Sequence, residues 1–120
     1  MTTEYEETET SILQAVRLAL GSHPSVVLWR NNVGLARFTK NGRPASVRYG
    51  LCPGSADLVG IISPSGRMFA LEVKTPNGKL SAEQQKWIAL VRSMGGFATT
   101  VQSPDEAIAA LARALDGATQ

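Results

Sequence analysis

Acidic residues are missing from the whole stretch between Thr10 and Ala56, which carries Arg17, Arg30, Arg37, Lys40, Arg43 and Arg48. A formal net charge of +2 hides this asymmetry, because Glu4, Glu6, Glu7 and Glu9 crowd the first nine residues. A field of one sign over so much chain suits sequence-independent contact with phosphates; the competing reading is a solvated basic surface without a partner. Cysteine is nearly absent as well. The lone Cys52 excludes an intramolecular disulfide and a cysteine-based zinc site, and its neighbours Leu51 and Pro53 offer nothing to activate a thiolate. His23, the single histidine, precedes Pro24 in a turn, so a zinc centre is disfavoured and any metal is expected to be held by oxygen. No apolar run approaches the roughly 20 residues of a membrane span, and the N-terminal residues are acidic rather than basic then apolar. The expectation is a cytoplasmic, intracellular protein with no membrane partner. At 120 residues and 43% hydrophobic composition the chain suffices for one core. Residues 1–7 are expected to form a frayed acidic N-terminus and 8–116 a single domain.

What is present centres on two apolar runs that each carry an acid. Met68-Phe69-Ala70-Leu71-Glu72-Val73-Lys74 has no internal Gly or Pro and lies between Ser65-Gly66 and Pro76-Asn77-Gly78, which predicts a buried strand. Alternation puts Phe69, Leu71 and Val73 on one side and Met68, Ala70, Glu72 and Lys74 on the other. A carboxylate is rarely buried without a partner or a metal. Upstream, Asp57-Leu58-Val59-Gly60-Ile61-Ile62 opens with an acid, and Ser63-Pro64-Ser65-Gly66 joins the two runs as a turn. Paired as a hairpin, they bring Asp57 near the start of one strand close to Glu72 near the end of the other. Two hard oxygen ligands at one end of a sheet outline a Mg²⁺ or Mn²⁺ site. The plainer alternative is a same-face Glu72–Lys74 ion pair with Asp57 capping a turn.

These residues resemble the PD-(D/E)xK nuclease superfamily, and within it the small VRR-NUC domains. The resemblance rests on Trp29-Arg30-Asn31-Asn32-Val33-Gly34, on Gly50 through Gly60 around Asp57, on Leu71-Glu72-Val73-Lys74 and on Leu80-Ser81-Ala82-Glu83-Gln84, in that order from about Thr8 to Gly96. Ala56 departs from it where the superfamily name places a proline; Pro53 lies three residues earlier. The resemblance implies a metal-dependent phosphodiesterase acting on DNA that leaves 5′-phosphate and 3′-hydroxyl ends. It also implies Asp57, Glu72 and the Val73 main-chain carbonyl as metal ligands, Lys74 beside the attacking water, and roles for Glu9 and Gln84.

The residues bear on these roles independently. A helix from about Thr8 to Leu20 has Ile12, Leu13, Val16 and Leu20 as its apolar stripe, and Glu9 falls on that inward face. There it either contributes to the site, through a second metal or a water, or simply favours the positive end of the helix dipole. Glu6, one turn earlier, is the alternate acid. Val26–Arg30 reads as the first strand, with Asn32 and Gly34 at its end; Gly34 either lets a phosphate approach the backbone or, more simply, is a turn glycine. Arg37 through Pro44 reads as a hairpin or mobile loop around Asn41-Gly42. Ser81-Ala82-Glu83-Gln84 matches a capping box opening a helix that buries Trp87, Ile88, Val91 and Met94. Gln84 on its inward side faces Glu72 and Lys74 if the helix packs there, although capping alone explains a glutamine. Phe97–Val101 is a further strand, and Ser103-Pro104-Asp105-Glu106 a second capping box before a helix with Ile108, Leu111 and Leu115 as core. Trp29 and Trp87 read as core anchors, with a rim position for Trp29 as the alternative. The last few residues look loose.

The expected fold is an α/β three-layer, restriction-endonuclease-like core with a central mixed β-sheet flanked by helices. The expected function is a divalent-metal-dependent DNA endonuclease, structure-selective for Holliday-junction, flap or other branched DNA and plausibly a homodimer. Arg30, Asn32, Arg37, Lys40, Arg43, Arg48 and Lys79 are the candidate DNA contacts. The alternatives are a non-cleaving DNA-binding module that keeps the nuclease fold, and a small metal-binding α/β protein with no nucleic-acid partner.

Overall fold

Alternation of apolar and polar residues in short runs, interrupted by three stretches of helical period, resolves in the computed structural model into six strands and three helices over the described residues 8–120. The order is α1 (Glu9–Leu20), β1 (Val26–Arg30), β2 (Gly34–Lys40), β3 (Arg43–Tyr49), β4 (Leu58–Ile62), β5 (Arg67–Val73), α2 (Ala82–Ser93), β6 (Phe97–Val101) and α3 (Pro104–Leu115). Four strands form a sheet in the order β1-β4-β5-β6, and β2 and β3 pair only with each other. The β1/β4 and β4/β5 pairs are antiparallel and β5/β6 is parallel, so the sheet is mixed. Helix α2 supplies the crossover that a parallel pair requires.

Two cores follow from the pleat. Phe69, Leu71 and Val73 point to the side where α1 and α3 lie, and there they meet Ile12, Leu13, Val16, Leu20, Leu58, Phe97, Val101 and Leu111. Ala70 and Ala98 face the other way, against Ile88 and Val91 of α2. The protein is therefore a three-layer α/β domain of restriction-endonuclease-like architecture, with α1 and α3 on one face and α2 on the other. Phe69 and Phe97, register partners on the parallel strands, stack at 5.2 Å between ring centroids. The Arg67 guanidinium donates to the carbonyls of Gly95, Ala114 and Ala118, tying the start of β5 to the ends of both later helices. Beyond α3 the chain stays tied down, since the Ala98 N–H donates to the Thr119 carbonyl.

Helix starts follow the capping chemistry. Thr8 caps α1 and Ser81 caps α2, the latter in a reciprocal box with Gln84. At α3 the Ser103 hydroxyl accepts from Glu106 N–H, but the Glu106 carboxylate accepts from Gln102 N–H rather than from the cap residue, so that box is displaced by one residue.

Three expectations about the core are corrected. On α3 the buried stripe is Ala107, Ala110, Leu111 and Ala114, while Ile108 and Leu115 are exposed; the small side chains let α3 approach α1 closely. Met94 is 80% exposed because it lies at the end of α2 with nothing packed above it, and Trp87 is half-buried. Trp29 is 53% exposed and sits at a rim, since α2 covers the β5 and β6 half of that sheet face and leaves β1 bare. The expectations for residues 1–7, including Glu6 as the alternate acid, lie outside the described residues.

The Asn41-Gly42 turn has both φ angles positive, 53° and 75°, between the paired Lys40 and Arg43, which makes residues 34–49 a true two-stranded ribbon. At its base Gly34 is the first residue of β2 rather than a turn glycine, and the cross-strand Tyr49 ring covers it; a Cβ there would lie 2.2 Å from the Tyr49 hydroxyl. Gly60, inside β4, is the tightest position in the sheet, because an added Cβ would stand 2.0 Å from the Val27 carbonyl oxygen. Gly60→Ala is accordingly expected to destabilise the domain by on the order of 3 kcal/mol, seen as a fall of roughly 10 °C in Tm. An unchanged Tm would mean that β1 does not pair as described.

Candidate active site

The β4/β5 register fixes the centre of the site. Leu58 is opposite Leu71, so Asp57, one residue before β4, stands across from Glu72, one residue before the end of β5. Asp57 Oδ2 accepts the Val73 backbone N–H at 2.8 Å, which holds the carboxylate against the neighbouring strand. Glu72 is 3% exposed; its Oε1 accepts from Gln84 Nε2 at 3.2 Å, and its Oε2 is buried with no hydrogen-bond partner. A buried carboxylate oxygen without a donor is costly. Burial pushes the Glu72 pKa from its ordinary 4.5 up to about 8, with the facing Asp57 carboxylate adding to the rise and Lys74 opposing it.

Lys74 follows directly on β5, with its backbone N–H bonded to the Val101 carbonyl. Its ammonium lies 4.0 Å from Glu72 Oε1 and 4.0 Å from Glu9 Oε1 on α1. Alternation along β5 thus delivers Glu72 and Lys74 to one end of the sheet, and the first turn of α1 delivers Glu9. Gln84 holds two posts at once. Its Oε1 accepts the Ser81 N–H in the helix cap and its Nε2 points at Glu72, so the cap fixes which end of the amide faces the carboxylate. Gln84 therefore both caps α2 and faces Glu72.

Asp57, Glu72 and Gln84 open on a cavity of about 290 Å³ that Arg30, Asn31, Asn32, Ser55 and Gly54 also line. The structure therefore brings Asp57, Glu72, Lys74, Gln84 and Glu9 together, with Arg30 and Asn32 at the same cavity. Arg37, Lys40, Arg43 and Arg48 are not at the cavity; they stand exposed along the β2–β3 ribbon. Lys79 is exposed in the loop before α2. Among the described residues, no three His, Cys, Asp or Glu side chains converge into a cluster able to hold a cation by themselves. The acid pair is Asp57 and Glu72, and the geometry gives Glu9 to Lys74. Two carboxylates, one with a free buried oxygen beside a polar cavity, are the donor set suited to a hard cation that keeps water in its remaining positions.

Sequence reading missed Asn31, a buried polar residue that ties the site to its surroundings. Its Nδ2 donates to Ser55 Oγ at 2.7 Å and to the Ala56 carbonyl at 2.8 Å, its Oδ1 accepts from Leu51 N–H at 3.1 Å, and its backbone N–H donates to the Asp57 carbonyl at 2.7 Å. It clamps the loop that carries Asp57 to the end of β1. In the sequence nothing distinguishes Asn31 from Asn32 beside it.

The chain from residue 7 to residue 115 matches the family model described as VRR-NUC domain, nearly its whole length. No curated protein matches the chain.

The raised Glu72 pKa fixes the sign of one pH effect. The folded, metal-free protein holds this proton up to about pH 8 whereas the unfolded chain releases it near its ordinary 4.5. The folded state thus binds more protons across that window and loses stability as pH rises through it. Denaturant unfolding in chelator should show stability falling from pH 5 to pH 8.5. The Glu72→Gln variant should show a flatter profile and greater stability at pH 8.5, by on the order of a few kcal/mol. Parallel profiles for the two proteins would mean that Glu72 is not desolvated as described.

Proposed function

The chain belongs to the VRR-NUC domain family, a nuclease-type DNA-processing domain, and from that premise we propose that it is a divalent-metal-dependent DNA endonuclease selective for branched DNA. The observation that carries the reading is the buried, partnerless Glu72 Oε2 facing Asp57 beside a polar cavity. In a protein that bound nucleic acid without cutting it, a buried acid pair beside the cavity would cost stability and gain nothing. Asp57, Glu72 and the Val73 carbonyl would hold Mg²⁺ or Mn²⁺. Such a cation supplies Lewis acidity toward a phosphoryl oxygen and acidifies water.

The chain's own residues do the rest. Lys74, kept at the site by Glu9 and Glu72, orients the attacking water and adds positive charge where the pentavalent transition state gathers negative charge. Attack on phosphorus breaks the P–O3′ bond; the proton lost by water ends on the 3′-oxygen, giving a 5′-phosphate and a 3′-hydroxyl. Gln84 holds Glu72 in place, and Glu9 acts as a positioning residue for Lys74. Arg30 and Asn32 contact the phosphate next to the scissile one, while Arg37, Lys40, Arg43, Arg48 and Lys79 hold the flanking backbone.

A homodimer accounts for branched substrates by presenting two sites. The face left bare by α2 supports it. Val27, Ile61 and Met68 are adjacent across β1, β4 and β5, Trp29 extends the row, and Leu51, Leu90 and Met94 share a groove with Met68. All seven are exposed, and together they offer on the order of 800 Å², the share of one partner in a standard interface.

The test is cleavage of a labelled four-way junction, 5′ flap, duplex and single strand with Mg²⁺ or Mn²⁺. Paired symmetric cuts on the junction are expected, abolished by chelator. Lys74→Ala should lower the rate by about 100-fold or more while DNA affinity in chelator stays nearly constant. Tight binding with no cleavage of any substrate would favour a non-cleaving module instead, and full activity of Lys74→Ala would remove the lysine from the mechanism.

Removal of two ribbon cations in Arg37→Ala/Lys40→Ala should weaken binding to every DNA sequence alike and reduce the slope of log affinity against log salt by about 2. An unaltered slope would put the DNA on another surface.

A further inference from the structure

The β2–β3 ribbon packs against no other element as a face: its strands touch each other, and nearly every side chain from Leu35 to Tyr49 is exposed. A lone two-stranded hairpin gains little from its own burial, so its side chains are arranged for something outside the domain. The register sorts them. One face carries Leu35 and Arg48, Arg37 and Ser46, and Thr39 and Pro44 as cross-strand pairs. The opposite face runs from base to tip as Gly34 with Tyr49, Ala36 with Val47, Phe38 with Ala45, and Lys40 with Arg43.

On that second face Tyr49 is occupied in covering Gly34, whereas Phe38 is unclaimed. Its neighbour two residues back is Ala36 and its cross-strand partner is Ala45, both small, with Val47 diagonal to it on the same face, and the ring is 46% exposed. The next pair toward the tip is Lys40 and Arg43. An aromatic ring flanked by small residues and followed by two cations, on a ribbon without a single acid, is complementary to a polyanion with apolar interior surfaces. An apolar protein partner would have to desolvate those cations; a nucleic-acid duplex pairs them with phosphates and receives the ring between bases. Strands of seven residues extend about 20 Å, enough to cross a duplex groove. The base of the ribbon is anchored at the active site, since Asn32 and Val33 before it line the cavity and Leu51 after it is bonded to Asn31.

Building on the nuclease reading, we propose that Phe38 is a specificity-determining wedge, which the β2–β3 ribbon inserts into a base step while Lys40 and Arg43 hold the adjacent phosphates. Insertion of an apolar side chain opens a base step and kinks the duplex. The opening is cheapest where stacking is already interrupted, so the wedge selects junctions, flaps and nicks over intact duplex and sets their distance from Asp57 and Glu72.

The test uses junction and duplex DNA with 2-aminopurine placed at successive positions, the full-length protein, and chelator to prevent cleavage. Binding should raise the fluorescence at one or two adjacent positions by several fold. Phe38→Ala should abolish that rise, lower junction affinity roughly tenfold or more, and leave the salt slope unchanged; Phe38→Trp should keep the rise. The ring is exposed, so the alanine variant should unfold at the wild-type temperature. Normal binding and cleavage without any fluorescence rise, or an equal rise with Phe38→Ala, would overturn the wedge and leave the nuclease reading standing. A Phe38→Ala variant whose sedimentation mass falls while its DNA signals persist would likewise overturn it, by assigning the ring to contact between copies. Failure to bind any of the DNAs would overturn the nuclease reading as well.

Discussion

Two carboxylates face each other where β4 begins and β5 ends, and one of them is buried with an oxygen that nothing satisfies. Much of the domain serves to hold that unfavourable arrangement. Asp57 is fixed by the Val73 N–H, and its loop is clamped by Asn31 and Ser55. Glu72 is fixed by Gln84, itself locked into the cap of α2. With no cation, burial, reinforced by repulsion from Asp57, keeps a proton on Glu72 up to about pH 8. A divalent cation would do the same work with two charges and would expel that proton. A buried acid pair that costs stability is the kind of compromise expected at a functional centre.

The three-layer fold explains why one sheet end gathers side chains from such distant parts of the chain. The pleat of β5 gives Phe69, Leu71 and Val73 to the α1/α3 core and returns Glu72 and Lys74 to its end. The α2 crossover needed by the parallel β5/β6 pair starts beside them, so its first turn carries Gln84 to the carboxylate. Helix α1, packed on the opposite face, starts near enough for Glu9 to reach Lys74. The β2–β3 ribbon leaves and re-enters at this same end, so an exposed basic extension has its root beside the cavity.

How much of this was legible in the sequence depended on whether a local rule had a rival. Period-two alternation placed Glu72 and Lys74 together, capping chemistry located the starts of α2 and α3, and the apolar stripe located α1. The VRR-NUC resemblance was legible in the order of short segments and holds over residues 7–115. Helix α3 was misread because two stripes both fit a 3.6 period; only the closeness of α1 decides for Ala107, Ala110 and Ala114 over Ile108 and Leu115. Trp29 read as core anchor or rim residue, and the structure shows the rim; its burial depends on how far α2 reaches across the sheet, which no local pattern encodes. Asn31 was overlooked because its importance lies in partners 20 to 25 residues away in sequence.

If Asp57 and Glu72 form a cation site, its occupation must displace a proton from Glu72. Calorimetric titration of Mg²⁺ or Mn²⁺ at pH 7, in buffers of differing ionisation enthalpy, tests it without any nucleic acid. Binding should release close to one proton, tighten as pH rises toward 8, and be lost in Asp57→Asn. Undetectable binding, or binding with no proton release and no sensitivity to Asp57→Asn, would mean that these two carboxylates do not form a cation site.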